Sequence, residues 1–313
     1  FRESLEGVLA EEDFDLVHFE WAQMAQYADL VPGIPKLVTE IEVNYAAHHS
    51  LVAVETNPLK RLRRYYNTLQ TLHRELQMCR RTDSVVCVTD TDAAFLAGYI
   101  PDSRLHVVNT GVDTRYFTPG SPDQIEPDSL VYVGAFRHGP NVDAMFYFHR
   151  EVFPLVLEAR PEAHLYIVGS SPPPEIRRLA NHPNITVTGF VEDIREYYHR
   201  AQVVIVPLRT GVGIRGKILE GWAAEKAMVA TSLACMGIRA GHGENILIAD
   251  DPAEFSLWTL ALLRNPEHCL RLGAAGRATA VRHYKWDDLA DQLSTLYQGI
   301  AGGNAQHGGK KEP

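Results

Sequence analysis

Ten short apolar runs alternate along this chain with stretches of helical periodicity. Four of them precede residue 118 and six follow residue 129; they lie at 15–19, 36–41, 84–89, 105–108, 130–133, 164–168, 185–188, 203–206, 228–231 and 246–248. Strands that are apolar on both faces and are separated by helices predict βαβ units with buried parallel sheets. The sequence therefore predicts an α/β fold and excludes all-helical and antiparallel architectures.

A segment without periodicity separates the two groups of strands. Residues 118–129, TPGSPDQIEPDS, are rich in Pro, Asp and Ser, which is typical of a linker. We predict a partial first domain at 1–119, a linker at 120–129 and a complete doubly wound domain at 130–285. Because the first group has only four strands, we expect the chain to lack N-terminal strands of its first domain. Residues 301–313 lack an apolar period and are predicted to be disordered.

The composition excludes several classes of protein. The chain has 313 residues, of which 45% are hydrophobic, and no apolar run approaches the ~18–20 residues of a membrane-spanning helix. A net charge of −9 argues against a general nucleic-acid-binding protein. The cysteines are scattered without a CxxC or Cys/His cluster, so we expect no metal site, no disulfide framework and a cytoplasmic location. They are Cys79, Cys87, Cys235 and Cys269.

The segment at 203–232 carries the clearest chemical signal. A buried strand is followed by a loop with Gly211 and Gly213 and by a helix that begins near residue 215. Glycines let backbone N–H groups approach an anion, and a helix N-terminus adds free donors and positive potential. Arg215 and Lys217 add two cations at the same place. Together these features predict a site for a nucleotide diphosphate at the carboxyl end of the strand.

A carboxylate stands on the same predicted helix. Glu220 lies three residues after Lys217, on one helix face, and can accept hydrogen bonds from the two hydroxyls of a ribose. The alternative is an ordinary Lys217–Glu220 salt bridge on a solvated helix.

Two further strand ends point to the same site. Gly134 follows the run at 130–133 and permits close approach of a ligand, and Arg137 can reach the same phosphates; alternatively, Arg137 is a surface residue that caps a turn. The backbone at Val191 can receive a flat base, or this segment is a plain strand-to-helix turn with Asp193 as the helix N-cap.

The helix predicted at 58–81 has an apolar row and a basic start. Cations at a helix N-terminus oppose the macrodipole, which favours an external partner such as an anionic membrane surface. The alternative is an amphipathic helix with a solvated basic end. The cations are Lys60, Arg61, Arg63 and Arg64, and the apolar row is Leu62, Tyr66, Leu69, Leu72 and Leu76.

Several ordered motifs resemble one family. The second half of the chain is similar to the donor domain of GT-B glycosyltransferases of group 1, family 4. The matching segments are YVGAFRHGPNVDA at 132–144, TGFVEDIREYY at 188–198, PLRTGVGIRGKILEGWAAEKAMVAT at 207–231 and GHGENILIADDPAEF at 241–255. The first half resembles part of the acceptor domain more weakly, through FDLVHFEW, VTEIEVNY and VVCVTDTDAAFL. The resemblance implies two Rossmann-like domains facing across a cleft, the first incomplete, and a helix at 286–300 that crosses back to the first domain.

The resemblance implies transfer of a sugar from a nucleotide diphosphate sugar to a polysaccharide or lipid-linked acceptor, with retention and without a metal or cofactor. Protein cations would then stabilise the leaving diphosphate. By position, Glu220 matches the ribose-holding Glu of the EX7E motif, and Arg137 matches the Arg that meets the diphosphate. Gly211 and Gly213 match the loop beneath the phosphates, and the backbone of Val191 matches the base pocket. The expected location is cytoplasmic or at the inner face of the membrane.

Three positions depart from the family pattern. Val212 stands where the first EX7E Glu is expected, and the segment instead resembles a subgroup with a GxGxRxK loop. The Lys that should follow Arg137 is absent, and we expect Arg215 or Lys217 to supply its charge. Ile41 replaces a family His.

The pair His48-His49 can compensate for the replaced His, or these are polar surface residues. The departures leave open a nucleotide-sugar-binding protein without transfer activity, another GT-B enzyme such as a nucleotide-sugar 2-epimerase or a phosphorylase, and a two-lobed small-molecule-binding protein.

Overall fold

The computed structural model describes residues 1–41, 43, 57–211 and 213–305, and the chain forms two compact units. The second unit is Thr110–Trp286, and the first comprises the residues up to Asn109 together with those from Asp287 onward. The predicted linker at 120–129 lies within the second unit. There Glu126 pairs with Arg200 at 2.7 Å, so tertiary contacts hold a segment that has no periodicity of its own.

The first unit contains a four-stranded parallel sheet in the order β1-β2-β3-β4. A 3-10 helix, Ala22–Leu30, connects the first two strands. Asn57 caps the second helix by accepting hydrogen bonds from the N–H groups of Leu59 and Lys60. The elements are α1 (Arg2–Glu11), β1 (Val17–Glu20), β2 (Lys36–Glu40), α2 (Pro58–Arg80), β3 (Ser84–Cys87), α3 (Asp90–Leu96) and β4 (Leu105–Val107).

The second unit contains a six-stranded parallel sheet in the order β10-β9-β8-β5-β6-β7. Its strands are β5 (Ser129–Val133), β6 (His164–Val168), β7 (Ile185–Gly189), β8 (Val203–Val206), β9 (Ala227–Ala230) and β10 (Leu247–Ile248). Its helices are α4 (Gly139–Tyr147), α5 (Phe153–Ala159), α6 (Pro174–Arg177), α7 (Arg195–Arg200), α8 (Gly216–Ala223), α9 (Pro252–Arg264) and α10 (Pro266–His283). Every residue of β5, β8 and β9 is buried.

This strand order reverses direction between β5 and β8, which are neighbours although β6 and β7 separate them in the sequence. Such a reversal leaves a crevice outside the carboxyl ends of the two strands, where open α/β sheets bind ligands. All ten predicted strands form, all pairings are parallel, and the prediction of two Rossmann-like α/β units is confirmed.

The last helix, α11 (Trp286–Ala305), begins at the end of the second unit and continues in the first. The Tyr297 hydroxyl lies 2.6 Å from Nδ1 of His18 in β1. The helix extends beyond residue 300 to Ala305, which corrects the prediction of disorder for residues 301–305. The rest of the tail predicted to be disordered, residues 306–313, lies outside the described residues.

The apolar row of α2 is only partly buried, which corrects the sequence interpretation. Leu62 and Tyr66 are 67% and 61% exposed, whereas Leu76 is buried. Only the C-terminal part of the row, at Leu72 and Leu76, packs against the core. The buried residues of the helix are Thr68, Glu75, Leu76 and Cys79. Among the described residues, no helix combines the length and the hydropathy needed to cross a membrane.

Candidate functional site

A pocket of about 330 Å³ opens at the carboxyl edge of the second sheet. Residues that follow β5, β6 and β7 form its wall, and α8 contributes Lys217 and Glu220. Because α8 follows β8, the charged residues enter from one side of β5. The apolar side chains of Phe190, Val191 and Ile194 enter from the opposite edge of the sheet. The pocket thus suits a ligand with an anionic end and a flat apolar end.

Two glycines bring backbone directly to the pocket wall. A Cβ at Gly169 would collide with the carbonyl oxygen of Gly134, so the loops after β5 and β6 touch through their main chains. A Cβ at Gly134 would lie 2.9 Å from Nζ of Lys217. A side chain at either position would displace its neighbours and obstruct the approach of a ligand to the main chain.

Lys217 is held by two side chains beneath the pocket. Its Nζ donates to the Tyr132 hydroxyl at 2.8 Å and to Oδ1 of Asn141 at 2.9 Å, and it lies 4.1 Å from the centroid of the Tyr132 ring. Asn141 in turn donates to the carbonyl of Ala135 at 2.7 Å. Burial lowers the pKa of Lys217 to about 7, although Glu220 opposes this shift. An anionic ligand would restore the protonated form and gain a buried cation.

Glu220 has a separate anchor. The hydroxyl of Tyr198, a fully buried side chain, donates to Oε2 of Glu220 at 3.0 Å, and burial raises the pKa of the carboxyl group. No ion pair within 4.0 Å joins Glu220 to Lys217 in the part of the chain that the structure describes. The two charged groups therefore lie on one half-buried helix face with different partners, unlike a salt bridge on a solvated helix.

The loop between β8 and α8 has the backbone conformation that its glycines permit. Gly211 and Gly213 have φ values of +100° and +82°. The position of a Cβ at Gly211 would lie 3.3 Å from Nη2 of Arg215. The charge of Arg215 also lies close enough to Lys217 to lower its pKa further. Val212, in the same loop, lies outside the described residues.

The structure brings four of the eight predicted site residues to the pocket lining: Gly134, Val191, Lys217 and Glu220. The other four, Gly211, Gly213, Arg215 and Arg137, lie outside it. Arg137 is exposed, and its Nε donates to Nε2 of its neighbour His138 at 3.3 Å.

The turn after β7 contributes to the pocket, and the N-cap position of α7 is Ile194 rather than the predicted Asp193. Gly189 has a φ of +74°. The following residue, Phe190, lines the pocket and is 76% exposed. Oδ1 of Asp193 accepts a hydrogen bond from the backbone N–H of Arg195 at 2.9 Å, at the start of α7. The turn therefore starts a helix and also lines the pocket with apolar groups.

The sequence did not predict the roles of Tyr132 and Asn141 as partners of Lys217, or that of Tyr198 as the partner of Glu220. Tyr132 lies in the predicted strand at 130–133 and Tyr198 ends the motif at 188–198, and a buried hydroxyl needs a hydrogen-bond partner. Their hydroxyls hold Lys217 and Glu220, and that need was the available signal.

Two other predictions concern the rest of the chain. Ile41 directly follows β2 and is 38% exposed, while His48 and His49 lie outside the described residues. The described residues contain no group of three or more His, Cys, Asp or Glu side chains that could hold a metal ion.

Two family models match this chain. Glycosyl transferases group 1 matches residues 127–265, and Glycosyltransferase Family 4 matches residues 1–116. A phosphatidyl-myo-inositol mannosyltransferase of Mycobacterium tuberculosis is 30% identical over 50% of this chain and 44% of its own length. The chain spans between 35% and 60% of the length of the curated relatives it matches.

Solved structures share the fold at low identity. Sucrose-phosphate synthase (tll1590) from Thermosynechococcus elongatus superposes with a TM-score of 0.76 at 18% identity, covering 97% of this chain and 78% of that chain. Anabaena HepE (Alr3699) in complex with UDP superposes with a TM-score of 0.72 at 13% identity, covering 96% and 82%. The chain belongs to the group 1 and family 4 glycosyltransferases and has their GT-B fold.

Proposed function

We propose that the second unit binds a nucleotide diphosphate sugar and that the protein transfers the sugar to a glycan or lipid-linked acceptor, with retention and without a metal ion. The observation that carries the proposal is the placement of Lys217. Its buried amine is held 2.8 Å from Tyr132 and 2.9 Å from Asn141, beside the Gly134 backbone at the reversal point of the sheet. A preorganised cation at this point suits a diphosphate.

We assign each part of such a donor to one region of the pocket. The diphosphate lies at Lys217 and the Gly134 backbone, where Arg215 and the N-terminus of α8 add positive potential. Glu220 accepts hydrogen bonds from the ribose hydroxyls. The base lies against Phe190 and the main chain of Val191. HepE, which shares this fold, was solved in complex with UDP, and this supports a nucleotide donor for this chain.

In the proposed transfer, the bond between C1 of the sugar and the diphosphate oxygen breaks, and the electron pair stays on that oxygen. A hydroxyl oxygen of the acceptor bonds to C1 on the same face, and its proton passes to the departing diphosphate. Lys217 and Arg215 stabilise the charge that develops on the leaving group, which is the task a divalent cation would otherwise perform. Retention is supported by the family resemblance, and NMR of the product's anomeric signal tests it.

The test of donor binding is calorimetric titration with UDP, GDP, ADP and their sugars in EDTA. We expect one nucleotide series to bind and Lys217→Met to weaken binding by about 10- to 100-fold, the value of a charge-assisted hydrogen bond. Lys226→Met is the matched control, because Lys226 is a buried lysine of the same unit that does not line the pocket. Binding that needs a metal, or equal effects of both variants, contradicts the proposal. Binding without turnover favours a nucleotide-sugar-binding protein.

We also propose that α2 contacts an anionic membrane. The row formed by Leu59, Leu62, Tyr66 and Leu69 is 43–79% exposed and lies in the N-terminal half of the helix, whereas three of its four buried residues lie at 75–79. The cations at 60–64 flank this row, an arrangement that suits anionic headgroups above an apolar boundary.

Co-sedimentation with phosphatidylglycerol vesicles tests the membrane contact. Replacement of Lys60, Arg61, Arg63 and Arg64 by Gln is expected to abolish sedimentation. Replacement of four exposed arginines of the second unit, chosen as a charge-matched control, leaves it intact. Equal sedimentation of both variants, or equal binding to phosphatidylcholine, argues against the contact.

A further inference from the structure

Trp21 occupies a backbone conformation that bulky residues avoid. It directly follows β1 and has φ +72° and ψ +138°, in a region that glycine adopts freely and that costs any other residue free energy. Two hydrogen bonds impose the conformation. The Trp21 N–H donates to the Thr39 carbonyl at 3.1 Å, and the Trp21 carbonyl accepts from the Met24 N–H at 2.9 Å.

Most of the Trp21 surface remains exposed, so burial contributes little toward offsetting this strain. Trp21 is 59% exposed, whereas the next small residue, Ala22, is 1% exposed. Glycine would satisfy the same turn without strain, and a polar residue would suit the solvent-facing side chain. An exposed aromatic ring kept at a strained position indicates a binding role more than a packing role.

The position in the fold supports that role. Trp21 stands at the carboxyl edge of a parallel sheet, the edge at which α/β units bind ligands. Glu20, the last residue of β1, is paired in register with Thr39 and is exposed, with 67% of its side chain accessible. The carboxylate of Glu20 and the aromatic ring of Trp21 thus belong to consecutive residues at this edge of the sheet.

A hydrogen-bonded network fixes the strand that carries both groups. His18 lies 2.6 Å from the Thr39 hydroxyl through Nε2 and 2.6 Å from the Tyr297 hydroxyl through Nδ1. The same Nε2 lies 3.7 Å from Oε1 of Glu20. The end of β1 is therefore tied to β2 and to α11, so that Glu20 and Trp21 are presented on a rigid support.

We propose that Trp21 and Glu20 form a saccharide-binding subsite of the first unit, which takes a sugar ring of the acceptor. The polarised C–H groups of a pyranose face stack on the negative face of the indole, and the Glu20 carboxylate accepts hydrogen bonds from adjacent ring hydroxyls. The identification of the ligand as an acceptor rests on the proposed transfer function, whereas the saccharide chemistry rests on Trp21 and Glu20 themselves.

The test uses 19F NMR of the full chain labelled with 5-fluorotryptophan. The chain has four tryptophans and therefore gives four signals. Trp21→Phe identifies the Trp21 signal. Methyl glycosides of glucose, mannose, galactose and N-acetylglucosamine are the probes. We expect at least one of them to shift the Trp21 signal in a saturable manner and to leave that of Trp286, the 50% exposed control, unchanged.

Variants separate recognition from structure. Glu20→Gln is expected to weaken the sugar about tenfold, the value of a charge-assisted hydrogen bond. Trp21→Gly is expected to raise the unfolding temperature because it relieves the backbone strain, whereas Trp286→Gly lowers it. No saturable shift of Trp21 with any probe, or an equal shift of Trp286, overturns the subsite.

A nucleotide titration of the same sample keeps the two proposals apart. If UDP or GDP binds but no sugar shifts the Trp21 signal, only the subsite fails. If neither nucleotide binds while a sugar does, the subsite stands and the proposed donor site fails.

Discussion

The protonation of Lys217 should make donor affinity depend on pH. Burial lowers its pKa to about 7 in the free protein, from an ordinary 10.5. A diphosphate placed against the amine favours the ammonium form, so the bound state has a higher pKa than the free state. Binding is then strongest below about pH 7 and weakens as the pH rises toward the bound-state pKa.

The magnitude follows from proton linkage. Above the free-state pKa, binding must be accompanied by uptake of one proton, so the Kd rises about tenfold for each pH unit between 7 and 9. The terminal phosphate of a nucleoside diphosphate titrates near pH 6, below this window. The slope in this range therefore reports the protein rather than the ligand.

Calorimetry of UDP or GDP from pH 7 to pH 9, in buffers of different ionisation enthalpy, measures both the slope and the proton uptake. Lys217→Met should bind weakly and without a slope. Lys226→Met should keep the wild-type slope, although burial lowers the pKa of Lys226 to about 8, because this residue does not line the pocket. A wild-type Kd that stays constant from pH 7 to pH 9, or a slope that survives in Lys217→Met, refutes the reasoning.

Three further substitutions probe the pocket by the same titration. Gly134→Ala places a methyl group 2.9 Å from the Lys217 amine and should weaken nucleotide binding more than tenfold; unchanged affinity would mean that the phosphates lie elsewhere. Glu220→Gln should weaken nucleotides but not inorganic pyrophosphate, which has no ribose, and an equal loss for both contradicts the ribose role. Arg137→Gln should change nucleotide affinity less than threefold, because its side chain is exposed and turned to His138; a loss as large as that of Lys217→Met would show that Arg137 moves into the site.

The strands could be predicted from the sequence because their signal is local. Six of the ten runs are apolar over three or more successive residues, and parallel strands covered on both faces need that composition. The β8–α8 glycine loop was also predicted, since Gly211 and Gly213 mark a conformation that other residues rarely adopt.

The partners of the site residues could not be predicted, because tertiary packing chooses them. The hydroxyl of Tyr132 indicates that a partner is needed but not which one, and its partner Lys217 lies 85 positions away in the sequence. The direction of Arg137 depends on side-chain torsions after a turn, which no periodicity records. Likewise, the apolar row of α2 has helical spacing along its whole length, but the core covers only its C-terminal part.

The central claim is that the second unit binds the diphosphate of a nucleotide at Lys217. A crystal structure of the chain with the tightest-binding nucleotide, grown in EDTA, tests it most directly. The account predicts a phosphate oxygen within hydrogen-bonding distance of Nζ of Lys217, the ribose at Glu220 and the base beside Val191. A nucleotide bound with its base at Lys217, or bound outside this pocket, would contradict the account.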